Sequence, residues 1–345
     1  MKNCFLPLVI GMLLTVMLLE LLLHAFPVST GYAFMAVDAG HPVLHGTPGF
    51  QYVYSKDWSF HLENYGRLNN YGFRSSYDYA PNSDAVVMIG NSFVQADAIR
   101  PPDTMTERLG ALLHRPAYAV GVDGFALVDY LVAARWANAT FRAPTLLVLL
   151  TSGDLGHSCT PRPAQHFLRF TNGTISLEVI DRPIPSLSRR LANDSKLFRY
   201  LYDNLHVGTN WPRGWRRDDD EAPRPAALAG PAGCADPAFD DAATRYLLNG
   251  FRHIEVTDDA RVIFVLAPHY RGEQQAPAGA VRDVDGFADR AADDGFAVVR
   301  LDTAFAAALR SGISLDLLPI DGHWNAAAND IAAQVTAAAL VNSPR

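Results

Sequence analysis

The sequence predicts an α/β fold built on a parallel sheet and preceded by one N-terminal transmembrane helix. Three observations predict it. From about Val86 onward, apolar strand-like runs alternate with helical stretches, a pattern that requires a parallel sheet with right-handed crossovers. One of these runs, Val86-Val87-Met88-Ile89, breaks into Gly90-Asn91-Ser92, which delivers a serine to the C-terminal lip of the sheet. The stretch Phe5 to Phe26 is apolar apart from Thr15, Glu20 and His24. At about 1.5 Å per helical residue it reaches roughly 30 Å, enough to cross a bilayer core.

Lys2 precedes the apolar stretch, so the positive-inside tendency puts the N-terminus in the cytoplasm and everything after Pro27 outside it. The expected address is a single-pass membrane protein with its globular part periplasmic or extracytoplasmic. The run exceeds the usual core of a signal peptide, which favours an uncleaved anchor over residues 1–27, with cleavage near Ser29-Thr30-Gly31 as the alternative. Glu20 and His24 are four apart and share a helix face. They are either polar residues tolerated near a helix end or a contact for a membrane protein partner.

Residues 28–83 are turn-rich and aromatic, and read as an ordered segment laid over the domain. The domain itself, residues 84–345, is expected to alternate as follows: helix 103–114, strand 117–122, helix 125–139 and strand 145–150. Asn172-Gly173 between two apolar runs, 166–170 and 174–180, signals a hairpin. A helical region follows over 186–207, then a flexible insertion at about 211–237, rich in Pro, Ala, Gly and charge. Helix 239–256, strand 261–266, helix 281–294, strand 297–301 and helix 326–342 complete the pattern.

Composition narrows the function classes. The net charge is −7 with no basic stripe, so nucleic acid is not an expected partner. Cys4 sits at the membrane edge, leaving Cys159 and Cys234 as a soluble pair that an oxidising compartment would join. Their wide spacing and the lack of Cys-x-x-Cys argue against a zinc site. No metal or other cofactor is expected.

The chemistry is concentrated in two distant blocks. Ser92 follows the first core strand, and Asp321-Gly322-His323 lies just before the last helix, an acid and a base two residues apart. An α/β-hydrolase elbow needs a second glycine two residues after the serine, where Val94 stands instead. The pattern resembles the SGNH, or GDSL, hydrolase family. Asn70-Tyr71-Gly72-Phe73-Arg74 is similar to the lead-in of its membrane-anchored bacterial members, and Ala85 to Gln95 resembles its nucleophile block. Val120 to Gly124 resembles the second block, Leu146 to Asp154 the third, and Asp321, His323, Trp324 and Asn325 the last.

The resemblance implies a flavodoxin-like three-layer sandwich and a catalytic Ser92, Asp321 and His323. It implies an oxyanion and substrate-binding set of Gly124, Asn91, Gly153 and Asp154, with the N–H of Gly124 facing the oxyanion; a turn-former at the strand end is the alternative for Asn91, and a loop or cap carboxylate the alternative for Asp154. Asn91 replaces the family's aspartate, and Gly153 replaces the asparagine that would donate a side-chain N–H. Removing one such donor costs about 10²–10³ in rate. Asp123, His157 and His269 are weaker candidates for the pocket, with turn, surface and structural roles as their alternatives. Trp324 is expected to pack the His323 loop.

The function that follows is a serine esterase or O-acyltransferase working through an acyl-serine. Its substrate would be an acylated glycan, such as an O-acetylated envelope or exported polysaccharide, or a lipid ester. The alternative is a decayed envelope protein that binds glycan or scaffolds a membrane assembly.

Overall fold

The structure, a computed structural model, describes residues 5–31, 33–82, 84–181, 187–205, 207, 236, 238–268 and 278–342. Helix α1 (Phe5–Leu23) is followed by a hairpin of β1 (Gln51–Lys56) and β2 (Leu62–Arg67). The core then runs β3 (Val86–Gly90), α2 (Ser92–Gln95), α3 (Met105–Leu113), β4 (Ala117–Gly121), α4 (Leu127–Phe141), β5 (Thr145–Leu150) and α5 (Asp154–His157). An excursion follows: the hairpin β6 (His166–Thr171) and β7 (Thr174–Val179), α6 (Leu187–Asp194), and α7 (Lys196–Arg199) running into a π turn at Tyr200–Asn204. The chain returns as α8 (Phe239–Asp258), β8 (Arg261–Leu266), α9 (Ala278–Asp293), β9 (Ala297–Arg300) and α10 (Asp302–Arg310). It closes with a short ladder of β10 (Asp316–Leu317) and β11 (Asp321–Trp324), and α11 (Ala326–Asn342).

The central sheet is parallel throughout, in the order β4-β3-β5-β8-β9. Numbered by first appearance this is 2-1-3-4-5, the doubly wound order whose switch point lies beside the first strand. The core strands read as unbroken apolar runs because both faces are covered. Val87, Ile89, Leu146, Val148, Val262 and Phe264 pack under α4, α8 and α9. Their alternates Val86, Met88, Leu147, Leu149, Ile263 and Val265 meet α3, α10 and α11. Phe264 is fully buried and lies edge-on to Phe251, Phe287 and Phe296, with ring centroids 5.2–5.4 Å away. Truncating such a side chain to alanine costs about 3–5 kcal/mol.

Strands 145–150 and 261–266 and helix 326–342 have the predicted bounds. The Asn172-Gly173 hairpin is present, with φ of 52° and 77° at the two turn residues, the left-handed pair that a tight hairpin turn requires. The predicted helical region 186–207 is broken, because Ser195 caps a new helix by accepting from Phe198 N at 3.1 Å. Three features have no counterpart in the sequence reading: the β1–β2 hairpin, α10, and the β10–β11 ladder.

Helix α1 is long and apolar enough to cross a membrane, and its side chains are largely exposed. It does not end free. The Glu20 carboxylate accepts from Ser195 Oγ (2.7 Å), Lys196 N (2.7 Å) and Leu197 N (2.8 Å), so it satisfies the start of α7 from within the chain. His24 turns back to the Glu20 carbonyl at 2.8 Å. Just past α1, Phe26 stacks on Phe60 at 5.5 Å and Phe60 meets Tyr200 at 5.4 Å, which joins the helix end to the turn between β1 and β2. Cys159 is disulfide-bonded. Cys234, its expected partner, lies outside the described residues, as do His269, Tyr32 and, apart from Asp236, the insertion at 211–237.

Candidate active site

The nucleophile block is shaped by what the sheet end can hold. Gly90 and Gly121 end the neighbouring strands β3 and β4 in register. A Cβ at Gly90 would lie 2.5 Å from Val94 Cγ2, and one at Gly121 would lie 2.7 Å from Val94 Cβ. Only glycine at both places lets Val94, and α2 with it, seat directly on the strand ends. Asn91 caps α2 by accepting from Phe93 N at 3.1 Å, which leaves Ser92 half-buried at the lip. Arg74, from the Asn-x-x-Gly-Phe-Arg lead-in, is buried against the chain that follows α2. It donates to the carbonyls of Gln95 (3.1 Å), Ala96 and Ile99.

The histidine block comes to the same lip from the other end of the chain. Trp324 is buried between Phe93 (5.1 Å) and Phe305 (5.1 Å), and Phe93 also faces the His323 ring at 5.0 Å. Asn325 holds the exit, donating to Ser314 O at 2.8 Å and capping α11 through Ala328 N at 3.0 Å. His323 Nε2 then lies 2.8 Å from Ser92 Oγ, and Nδ1 lies 2.5 Å from Asp321 Oδ1. With Nδ1–H donating to the carboxylate, Nε2 is left to accept the serine proton. The His323 side chain is one-third exposed, whereas that of Asp321 is fully buried.

Two residues that the sequence reading missed complete the acid. Tyr54 OH donates to Asp321 Oδ2 at 2.6 Å, and Lys56 Nζ lies 2.7 Å from the same oxygen. Burial alone would raise the Asp321 carboxyl. The His323 hydrogen bond and charge, together with Lys56, overcome it and hold the group well below the usual carboxylate range. Tyr54 is pushed far above its ordinary value by burial and then by Asp321, so it remains a neutral donor. The one sequence signal for these residues was the scarcity of lysine, since Lys56 stands with Lys2 and Lys196 alone.

The expected oxyanion set is placed unevenly. Gly124 has φ of 80°, and its carbonyl accepts from Arg162 Nη1 at 2.7 Å, which fixes the orientation of that turn. Asp123 is exposed on the same turn, its N–H bonded to Gln95 Oε1 at 2.5 Å. Asp154 is only 1% exposed, so it offers substrate no surface. Its carboxylate accepts instead from Thr151 N (2.6 Å), Thr151 Oγ1 (3.0 Å) and Asn91 Nδ2 (3.2 Å). The Asn91 amide is likewise spent on Thr151 Oγ1 at 2.7 Å and on its cap. Asn91 and Asp154 therefore brace the third block against the nucleophile turn through their side chains. Gly153 has φ of 88°, and a Cβ there would lie 3.2 Å from His157 Cε1, so the imidazole of the exposed His157 covers the place where a side chain at 153 would begin.

No protein-family model matches the sequence, and no curated protein matches it. Among solved structures, a member of the lipolytic G-D-S-L family from Veillonella parvula is similar at 11% identity and a TM-score of 0.41, covering 75% of this chain and 99% of that one. A putative G-D-S-L lipolytic protein from Desulfitobacterium hafniense has 10% identity, a TM-score of 0.39, and coverage of 74% and 99%. An acetylxylan esterase from Geobacillus stearothermophilus has 12% identity, a TM-score of 0.39, and coverage of 75% and 94%. The 2-1-3-4-5 parallel sheet is the flavodoxin-like doubly wound order that the sequence resemblance implied, with Ser92 on the turn after the first core strand and the Asp321, His323 pair before the last helix.

Proposed function

We propose that this protein is a serine esterase or O-acyltransferase that works on acyl esters through an acyl-Ser92 intermediate. The observation that carries the reading is the hydrogen bond of 2.8 Å between Ser92 Oγ and His323 Nε2, in a histidine whose other nitrogen is held by a buried carboxylate. His323 takes the proton as Ser92 Oγ attacks the ester carbonyl, then returns it to the departing alcohol. Asp321 stabilises the imidazolium formed in between. The backbone N–H groups of Ser92 and Gly124 serve the oxyanion. Water completes hydrolysis; a sugar hydroxyl completes acyl transfer.

The substrate class proposed is the O-acetyl group of a cell-envelope or exported polysaccharide, with the domain held at the periplasmic face of the bacterial inner membrane. The exposed apolar α1 supports the anchor, and the contact of Phe26 with Phe60 supports a site close to the bilayer. A lipid ester is the second substrate that this proximity favours. Labelling of the full chain with a fluorophosphonate probe tests the chemistry. The wild type is expected to label and Ser92→Ala to remain unlabelled. An unlabelled, folded wild type would refute the enzyme and leave a glycan-binding or scaffolding envelope protein. Acetate release from O-acetylated polysaccharide, compared with release from a lipid ester, then decides the substrate.

A further inference from the structure

We infer that Tyr54 and Lys56, on the hairpin ahead of the α/β domain, are positioning residues for the triad acid, which makes the segment between anchor and domain a working part of the active site. The inference rests on Ser92, His323 and Asp321 acting as proposed above.

Alternate residues of a strand share a face, so β1 presents Tyr54 and Lys56 together. Both reach Asp321 Oδ2, at 2.6 and 2.7 Å, while Oδ1 accepts from His323 N at 2.8 Å and from Nδ1 at 2.5 Å. The two oxygens are thus divided: one serves the histidine and the other the hairpin. A carboxylate held on one oxygen alone can rotate out of the imidazole plane. Pinning Oδ2 removes that freedom and fixes the direction in which His323 Nε2 points.

The hairpin is itself immobilised by elements that the catalytic core does not supply. Asn204 donates to the buried Ser55 Oγ at 2.8 Å and accepts from Asp57 N at 3.2 Å, and the Phe26, Phe60 and Tyr200 rings clamp the turn. Lys56 has a second effect besides position. It partly offsets the Asp321 charge, which tempers how strongly the carboxylate attracts a proton onto the imidazole. The other charged groups felt at Tyr54 are Asp97 and Asp123.

The test compares full-length wild type, Lys56→Met, Lys56→Arg and Tyr54→Phe in detergent. Fluorophosphonate labelling rate and p-nitrophenyl acetate turnover are followed from pH 5 to 9. Losing the ammonium leaves Asp321 uncompensated, which favours protonated His323. The acid limb of kcat/KM should therefore move up by about half a pH unit or more in Lys56→Met and return towards wild type in Lys56→Arg. Tyr54→Phe should lower kcat about tenfold with KM unchanged within about twofold, since it loosens the acid and leaves the pocket alone. A loss equal at all pH values, with no rescue by arginine, would overturn the inference while the labelled wild type preserves the esterase reading. A wild type that never labels overturns both. If Lys56→Met fails to fold, the kcat against KM split of Tyr54→Phe decides the question alone: unchanged kcat refutes the positioning role.

Discussion

Replacing Asp321 by asparagine asks the most of the active site, because the carboxylate accepts four hydrogen bonds and its side chain has no exposed surface. The amide keeps the shape but exchanges one acceptor for a donor. If the NH₂ faces His323 Nδ1, the imidazole must flip its tautomer, and Nε2 then carries the proton that it should accept. If it faces Oδ2's place, it points at Lys56 and Tyr54, two donors. Either arrangement removes the charge that stabilises the imidazolium. Loss of the triad acid through the wrong tautomer costs about 10³–10⁴ in kcat, or roughly 4–5.5 kcal/mol of barrier. Stability falls too, because in either orientation Lys56 loses its counter-charge. Since the Lys56 side chain is 24% exposed, solvent screening reduces the cost of a broken buried pair, about 3–5 kcal/mol, to about 2–3 kcal/mol. Turnover of p-nitrophenyl acetate by the full chain and chemical denaturation monitored by near-UV circular dichroism measure the two effects. A kcat within tenfold of wild type would refute the assignment of Asp321 as the acid of the triad.

Gly153→Asn, which supplies the asparagine of the block that this segment resembles, should not raise the rate: φ of 88° strains any side chain and its Cβ would press on His157 at 3.2 Å, so we expect about 1–2 kcal/mol of destabilisation and less than a twofold gain in kcat. A gain of tenfold or more would show that the third donor was the missing component. His41 and His45 stack at 3.4 Å; burial lowers both, with His41 brought down to about 4 from 6.5. A histidine depressed in the folded state binds its proton more readily when unfolded, so its stabilising contribution is present above pH about 6.5 and is lost as pH falls towards 4. Melting temperature should drop across that window in wild type and drop less in His41→Gln; parallel curves would refute the link. A reporter fused after Arg345 should be active only when exported, and activity confined to the cytoplasm would reverse the proposed orientation.

Much of the core was legible because local pattern determines it. A strand covered on both faces must be apolar along its buried length, so the apolar runs that fill Thr145–Leu150 and Arg261–Leu266 announce themselves, and the Asn172-Gly173 pair states its turn through the φ values it tolerates. Ser92 and the Asp321, His323 pair were readable as residue types in a particular order along the chain. The resemblance implied that they meet; what brings them to 2.8 Å was not readable, since only the sheet order and the two glycines under Val94 bring α2 and β11 to one lip. The β1–β2 hairpin left a faint trace because it is half-buried, mixes polar with aromatic residues, and has no short turn motif. Tyr54 and Lys56 had no local reason to be singled out, because their partner is 267 residues from Tyr54 along the chain. The same holds for Glu20, which reaches Ser195 across 175 residues. Periodicity and turn chemistry act over a few residues, so the sequence by itself determined the core strands, most of the core helices and the candidate catalytic residues. Contacts between distant segments depend on how those elements pack, and so only the tertiary structure decided what holds Asp321, what braces the third block and what ties the apolar helix to the rest of the chain.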